Sequence, residues 1–249
     1  MRKRSAFFLF LAASTIMTAQ NGLQTDGFKC TGGAVRITFI GHASLLFQFR
    51  PAHQVADLNI YVDPDGRLTD FSTLPKADLI LVTHQHYDHF DAKAIETLRQ
   101  AATAIFVSPA CLPLPAAARI LKNGDSARFK DIGIEAVPAY NIVHKRPDGV
   151  PFHPRGEGNG YVLDFPGLRV YVAGDTEDIP EMAALKDIAI AFLPMNLPYT
   201  MTPEMTARAA RAIKPRVLYP YHYSATDPQR LVSLLKDASG MDVRIRKLN

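Results

Sequence analysis

"LVTHQHYDHFD", residues 81–91, sets His84, His86, Asp88, His89 and Asp91 directly behind the apolar run "ADLILV" at 77–82. A continuous apolar run bounded by polar residues reads as a strand covered on both faces, as parallel strands in α/β proteins are. A solvated turn has no need of three imidazoles and two carboxylates in this order after a buried strand. The stretch therefore predicts both a doubly covered strand and a cluster of lone pairs held at its end. Behind it, "DAKAIETLRQAA" (91–102) has helical composition, with Asp91 placed to cap the helix N-terminus.

Working outward, "AVRITFIGHASLLFQF" (34–49) alternates on both sides of Gly41-His42 and predicts two strands joined by a tight turn. "LNIYVDPDG" (58–66) is a third strand closed by Asp-Pro-Asp-Gly turn chemistry. Downstream, "AIFVSP" (104–109) is a strand and "PAAARILKN" (115–123) a short helix; "ARFKDIGIEAVPAY" (127–140) gives two strands turning at Asp131-Ile132-Gly133. "YVLDFPGLRVYVAGD" (161–175) is a hairpin turning at Pro166-Gly167 and delivering Asp175 behind its second strand. From 179 onward helical and strand patterns alternate: helices at 179–186, 202–213 and 227–238, strands at 188–195, 216–223 and 242–248. A strand-rich first half and an alternating second half fit two sheets packed face to face with helices outside, an α/β sandwich. Residues 141–160, "NIVHKRPDGVPFHPRGEGNG", form a long polar Gly/Pro-rich loop, the kind that carries function or acts as a lid.

With 249 residues, 47% of them hydrophobic, the chain can bury one sizeable core, and no repeat or linker-like tract divides it. The first residues stand apart. "MRKR" followed by the apolar "SAFFLFLAASTIM" and a small residue at Ala19 reads as a cleaved signal peptide over 1–19. The apolar run, about 13 residues, is short for a bilayer span of about 20. The expected organisation is a signal peptide (1–19), an N-terminal segment (20–33) and one domain (34–249), exported to the periplasm or outside the cell with no membrane span after cleavage. The formal charge of +4 comes from 28 basic and 24 acidic residues; without Arg2, Lys3 and Arg4 it falls to 25 minus 24, or +1. No basic cluster marks a nucleic-acid groove, so a small-molecule partner is expected instead. Cys30 and Cys111 could pair in an oxidising compartment or stay as free thiols, and neither has ligand spacing.

His84 and His86, two apart just past a strand end, can turn their rings to one side, and Asp88 and His89 can face another. Two ligand pairs on one short loop suggest two neighbouring cations. Imidazole and carboxylate suit Zn²⁺ first, and also Mn or Fe. One loop cannot close two sites, so remote strand ends must contribute. The candidates are His144 or His153 in the long loop, Asp175 in "VAGDT" and His222 in "YPYHYS". His53 reads as an ordinary surface histidine.

"THQHYDH" (83–89) matches the His-x-His-x-Asp-His signature of the metallo-β-lactamase superfamily. "GHAS" (41–44), "VDP" (62–64), "VAGDTEDIPEM" (172–182), "AFLPMNLPYTM" (191–201) and "YPYHY" (219–223) resemble, in the same order, one branch of it. That branch contains ascorbate-6-phosphate lactonase, N-acylphosphatidylethanolamine phospholipase D relatives and many bacterial metal-dependent hydrolases; the likeness covers roughly residues 34–245. It implies an αββα sandwich of two mixed sheets with helices on the outer faces. It implies one metal held by His84, His86 and a third histidine, a second held by Asp88, His89 and His222, and Asp175 bridging them. Some relatives carry the third histidine where this chain has Asn141; others carry a Phe-His-Pro segment, here Phe152-His153-Pro154, which favours His153 over His144. Two cations so held would present a hydroxide at neutral pH, with Asp88 orienting it and carrying a proton to the leaving group. The expected activity is hydrolysis of an ester, lactone, amide or phosphodiester, with His42 and Tyr199 as candidate substrate contacts. Because the fold also hosts iron redox enzymes, a mono-iron or di-iron redox enzyme, or a metal-binding protein without turnover, is the alternative.

Overall fold

Two mixed sheets face each other, and each is an antiparallel meander that continues into parallel strands. The computed structural model describes residues 16–17 and 22–248. The first sheet holds, in order, β1 (Ile16–Met17), β2 (Gln24–Cys30), β3 (Gly33–Gly41), β4 (Ser44–Pro51), β5 (Leu58–Val62), β6 (Leu79–Val82), β7 (Ala104–Val107) and β8 (Ala118–Ile120). Pairing is antiparallel up to β4–β5 and parallel from β5–β6 onward. The second sheet holds β9 (Ser126–Phe129), β10 (Ile132–Ala139), β11 (Gly158–Phe165), β12 (Leu168–Val172), β13 (Ile188–Pro194), β14 (Val217–Tyr221) and β15 (Asp242–Val243), parallel from β12–β13 onward. The helices are α1 (Ala92–Leu98), α2 (Pro203–Ile213) and α3 (Pro228–Leu234).

Side-chain alternation decides what each strand covers. Val35, Ile37 and Phe39 of β3 and Leu45, Phe47 and Phe49 of β4 point between the sheets, where they meet Phe165, Phe192 and Tyr219. In β6 the odd positions Leu79 and Leu81 join that interior. The even positions Ile80 and Val82 pack outward beneath Ala94, Ile95 and Leu98 of α1. The run at 77–82 is thus covered on both faces, as its unbroken apolar character requires. Asp91 caps α1 by accepting from the Lys93 and Ala94 amides.

Three local expectations are corrected. The helix expected at 115–123 is instead the short strand β8, paired parallel to β7. Three alanines are too short a run to hold a helix alone, and the open edge of β7 offers backbone partners. The 179–186 helix shrinks to a single 3₁₀ turn, Pro180–Ala184. The β9–β10 turn is Lys130-Asp131, with Lys130 in the left-handed region, so Ile132 and Gly133 belong to the strand.

The first sheet begins earlier than the boundary expected at residue 34: β2, within the 20–33 segment, pairs along its whole length with β3. The proposed signal peptide lies outside the described residues except for Ile16 and Met17, which pair with Asp26 and Thr25. Cys30 and Cys111 are both free thiols; Cys111 is buried beside Ser108, and burial pushes its pKa up to about 11. Among the described residues no helix is long and apolar enough to cross a membrane.

The parallel strands β6, β13 and β14 all run toward one rim of the sandwich, where ligand sites of such sheets gather. The sheets are stitched together there. The Asn159 amide donates to the Thr83 carbonyl at 2.8 Å, the Tyr161 hydroxyl to the Val82 carbonyl at 2.9 Å, and the His222 amide to the His42 carbonyl at 3.1 Å.

Candidate metal centre

Every candidate donor of the rim except His144 arrives at the same place. His84, His86 and His153 bring one ring nitrogen each to within 4.8 Å of one another, as do His42, Asp88, His89 and His222 with one atom each. His84, His89 and Asp175 form a third such set, so Asp175 sits where the two groups meet. His84 Nε2 lies 3.1 Å from His86 Nδ1, and His222 Nε2 lies 3.1 Å from His89 Nε2. Asp175 Oδ2 is 3.2 Å from His153 Nε2 and 3.4 Å from His222 Nε2, while its Oδ1 is 3.5 Å from His89 Nε2. Ligand atoms at about 2.05 Å from one tetrahedral ion stand about 3.3 Å apart. The observed separations straddle that value.

The orientation of each ring follows from its other nitrogen. Asp63, fully buried at the end of β5, accepts from the Thr83 amide and hydroxyl, both at 2.7 Å. The hydroxyl proton is thereby committed, so Thr83 Oγ1 can only accept from His84 Nδ1–H, at 2.9 Å. Asp63 also accepts from His89 Nδ1–H at 2.8 Å. His84 and His89 therefore both turn Nε2 inward, the nitrogen left for a cation once an outer partner holds Nδ1–H, the arrangement in which such a partner fixes a ligating imidazole. Gly174 makes the approach of Asp175 possible: its φ is +66°, and a Cβ there would fall 2.6 Å from the Asn159 carbonyl oxygen and 3.2 Å from Thr83 Cβ.

The electrostatics favour a cation. Burial, together with the charge on His89, holds His84 well below the ordinary histidine value. Burial and the neighbouring His153 lower His86 to about 4. Burial opposes charge on His89 too, but Asp175, Asp63 and Asp88 outweigh it and raise it to about 9. Burial would raise the two carboxylates. For Asp88, the His222 ring 3.8 Å away and the hydrogen bond to His42 win; for Asp175, the charges of His222 and His89 and the contact with His153 win, so both stay ionised well below the usual range. Asp175 Oδ1 is buried with no hydrogen-bond partner. A buried carboxylate oxygen that makes no hydrogen bond is costly unless positive charge stands beside it, supplied by His89 at 3.5 Å or by a cation bound among the inward-facing rings. The residues present fit divalent metal ions.

His144 points elsewhere, its Nδ1 lying 2.8 Å from Glu177 Oε1. Asn141 is no ligand: its Oδ1 accepts from the His153 amide at 3.0 Å and from His153 Nδ1 at 2.6 Å. His42 lies tilted against His222, with ring centroids 3.7 Å apart and 40° between the planes, and its Nε2 lies 3.1 Å from Asp88 Oδ2. Tyr199 is half-exposed and packs edge-on against Phe152, next to His153. Tyr221, beside His222, is fully buried against Phe192. The 141–160 loop is not a free lid. Lys145 and Pro151 pair across a small hairpin, and Glu177 accepts from the Ile142, Val143 and His144 amides at 2.7, 2.7 and 2.6 Å. Sequence reasoning missed Asp63, Thr83, Asn141 and Glu177 as organisers of the site. The available signal was an Asp or Thr directly behind each of two adjacent apolar strands.

The comparisons with known proteins agree. The model of the β-lactamase superfamily domain matches residues 36–222. A UPF0173 metal-dependent hydrolase of Thermococcus kodakarensis is 30% identical over 224 residues, 82% of this chain and 93% of that one. A crystal structure from Parabacteroides distasonis, provisionally described as a metal-dependent hydrolase, superimposes with a TM-score of 0.84 at 48% identity, covering 91% of this chain and all of that one. A metallo hydrolase of the archaeon Ignicoccus hospitalis shares the fold at 24% identity, with a TM-score of 0.67. With the His-x-His-x-Asp-His turn, the two meander-to-parallel sheets and these relatives in agreement, the chain belongs to the metallo-β-lactamase superfamily, among its metal-dependent hydrolases.

Proposed function

We propose that this enzyme is an exported hydrolase with a two-cation centre that cleaves an ester, lactone or phosphodiester bond of a small molecule. The convergence of His84, His86, Asp88, His89, His153, Asp175 and His222 on one rim carries the proposal. His84, His86 and His153 would hold one ion, Asp88, His89 and His222 the other, and Asp175 both. Zn²⁺ fits the donor set best, with Mn or Fe as alternatives. Bound there, the two cations supply Lewis acidity and a neutral-pH source of hydroxide.

The chain's own residues do the rest. Asp88 accepts a hydrogen bond from the attacking water and orients it, and the same carboxylate moves the proton to the leaving group. His42 Nε2, beside Asp88 Oδ2, holds that carboxylate in place and lines the substrate's path. Tyr199 stands half-exposed on the side of His153 and offers its ring and hydroxyl to the substrate. Export rests on residues 1–19 alone.

Elemental analysis of the purified protein tests the centre, and about two cations per chain are expected. Chromogenic esters, lactones and bis-(p-nitrophenyl) phosphate then test the chemistry. Full metal loading with no turnover on the whole panel would reject the hydrolytic assignment, and an iron chromophore would move the protein to redox chemistry. The N-terminal residue of protein recovered from the periplasm tests export, with a new terminus near residue 20 expected.

A further inference from the structure

We infer that Asn141 is a positioning residue whose carboxamide, braced by Glu177, locks His153 in the tautomer that turns a bare Nε2 toward the donor cluster. The inference rests on the assignment of His153 as a metal-facing side chain.

Asn141 and His153 are both buried, and each end of the Asn141 amide is committed. Its Nδ2 donates to Glu177 Oε1 at 3.1 Å and to the Tyr199 carbonyl at 2.9 Å. Both partners only accept, so the nitrogen of the amide must face them and the oxygen must face His153. That oxygen carries no hydrogen. The 2.6 Å contact with His153 Nδ1 therefore requires the proton on Nδ1. With the Nδ1 proton fixed in this way, Nε2 is the nitrogen left to a cation; it stands 3.2 Å from Asp175 Oδ2, and a bound metal ion takes the place of any proton between them. The opposite tautomer would set two lone pairs against each other at 2.6 Å and aim an N–H at the cluster.

Glu177 cannot swing away, because the amides of residues 142–144 fill its two oxygens. The backbone reinforces the geometry: the Asn141 amide donates to the His153 carbonyl at 2.9 Å, while the His153 amide donates to Asn141 Oδ1. The two residues are thus held face to face although twelve positions separate them. Asn141 does for His153 what Asp63 does for His89, using a neutral oxygen polarised by a charge one bond further out.

The test uses the full chain, metal-free and zinc-titrated. Two-dimensional ¹⁵N–¹H NMR of histidine-labelled protein, with the signal assigned by His153→Ala, should show His153 as the Nδ1–H tautomer. Asn141→Leu, similar in size without hydrogen-bonding groups, should lose that signature and weaken zinc binding about 10–100-fold against a chelating dye. Asn141→Asp keeps an accepting oxygen toward His153 and meets Glu177 Oε1 by sharing one proton between the two carboxyls, so it should keep the tautomer and bind zinc nearer to the parent than to Asn141→Leu, even with a lower melting temperature. A loop strut with no electronic role would instead make both variants equally poor. The inference is overturned if parental His153 carries its proton on Nε2, or if Asn141→Leu leaves tautomer and zinc affinity unchanged. If Asn141→Leu does not fold, the parental spectrum and Asn141→Asp decide. Unaltered zinc stoichiometry in His153→Ala would instead sink the metal assignment, leaving the tautomer result standing.

Discussion

The histidine turn behind β6 and the loop behind β10 deliver donors to the same rim by opposite means. The turn is short, and four donors sit within residues 84–89. The loop wanders from Asn141 to Gly158 and brings a single inward histidine. Yet both depend on one buried carboxylate: Asp63 under the turn accepts from the Thr83 amide and from His89 directly, and Glu177 under the loop accepts from the amides of residues 142–144 and reaches His153 through Asn141. Local sequence can bunch donors together. Holding a ring at a fixed angle needs an acceptor from another segment.

The comparison breaks most sharply at the turn. His86→Ala should abolish binding of at least one cation and lower kcat/KM on any responsive substrate by about 10³-fold or more, while the fold survives. Parental turnover by that variant would overturn the site. Next in size is Asp63→Asn, which leaves the Thr83 hydroxyl and His89 Nδ1–H competing for a weaker acceptor. It should weaken metal binding by about 10–100-fold, as read by dye competition.

Glu177 gives a pH test. Burial pushes its carboxyl up, but the amides of Val143, His144 and Ile142 and the Asn141 side chain outweigh this and hold it below the usual range. A carboxyl lowered in the folded state stabilises above its unfolded pKa, and that stabilisation is lost as pH falls through the lower folded value. Thermal melts should therefore show the parent losing its margin over Glu177→Gln as the solution is acidified below the ordinary carboxylate range. A constant difference between the two would remove Glu177 as the anchor. The smallest expected effect is at a solvent-facing side chain of the loop. Val143, 65% exposed, should tolerate Val143→Ser within about 0.5 kcal/mol.

How much of this was readable beforehand follows from where the information lies. Alternation across Gly41-His42, the unbroken apolar run at 77–82 and the Asp91 cap act over windows of a few residues, and each reappears in the structure. The 115–123 segment misled because its alanines carry weak local preference, and the free edge of β7 chose its conformation.

By itself the sequence determined the sandwich of two sheets, the strand that ends in the histidine turn and the list of candidate donors, because periodicity and spacing are properties of contiguous residues. Only the tertiary structure decided that His153 faces the cluster while His144 faces Glu177, and that Asn141 holds a ring instead of ligating. Those outcomes hang on hydrogen bonds between residues 12 to 36 positions apart, as in Asn141–His153 and Asn141–Glu177. No local pattern encodes such partners, since they meet only when the chain returns on itself and every buried polar group must find one.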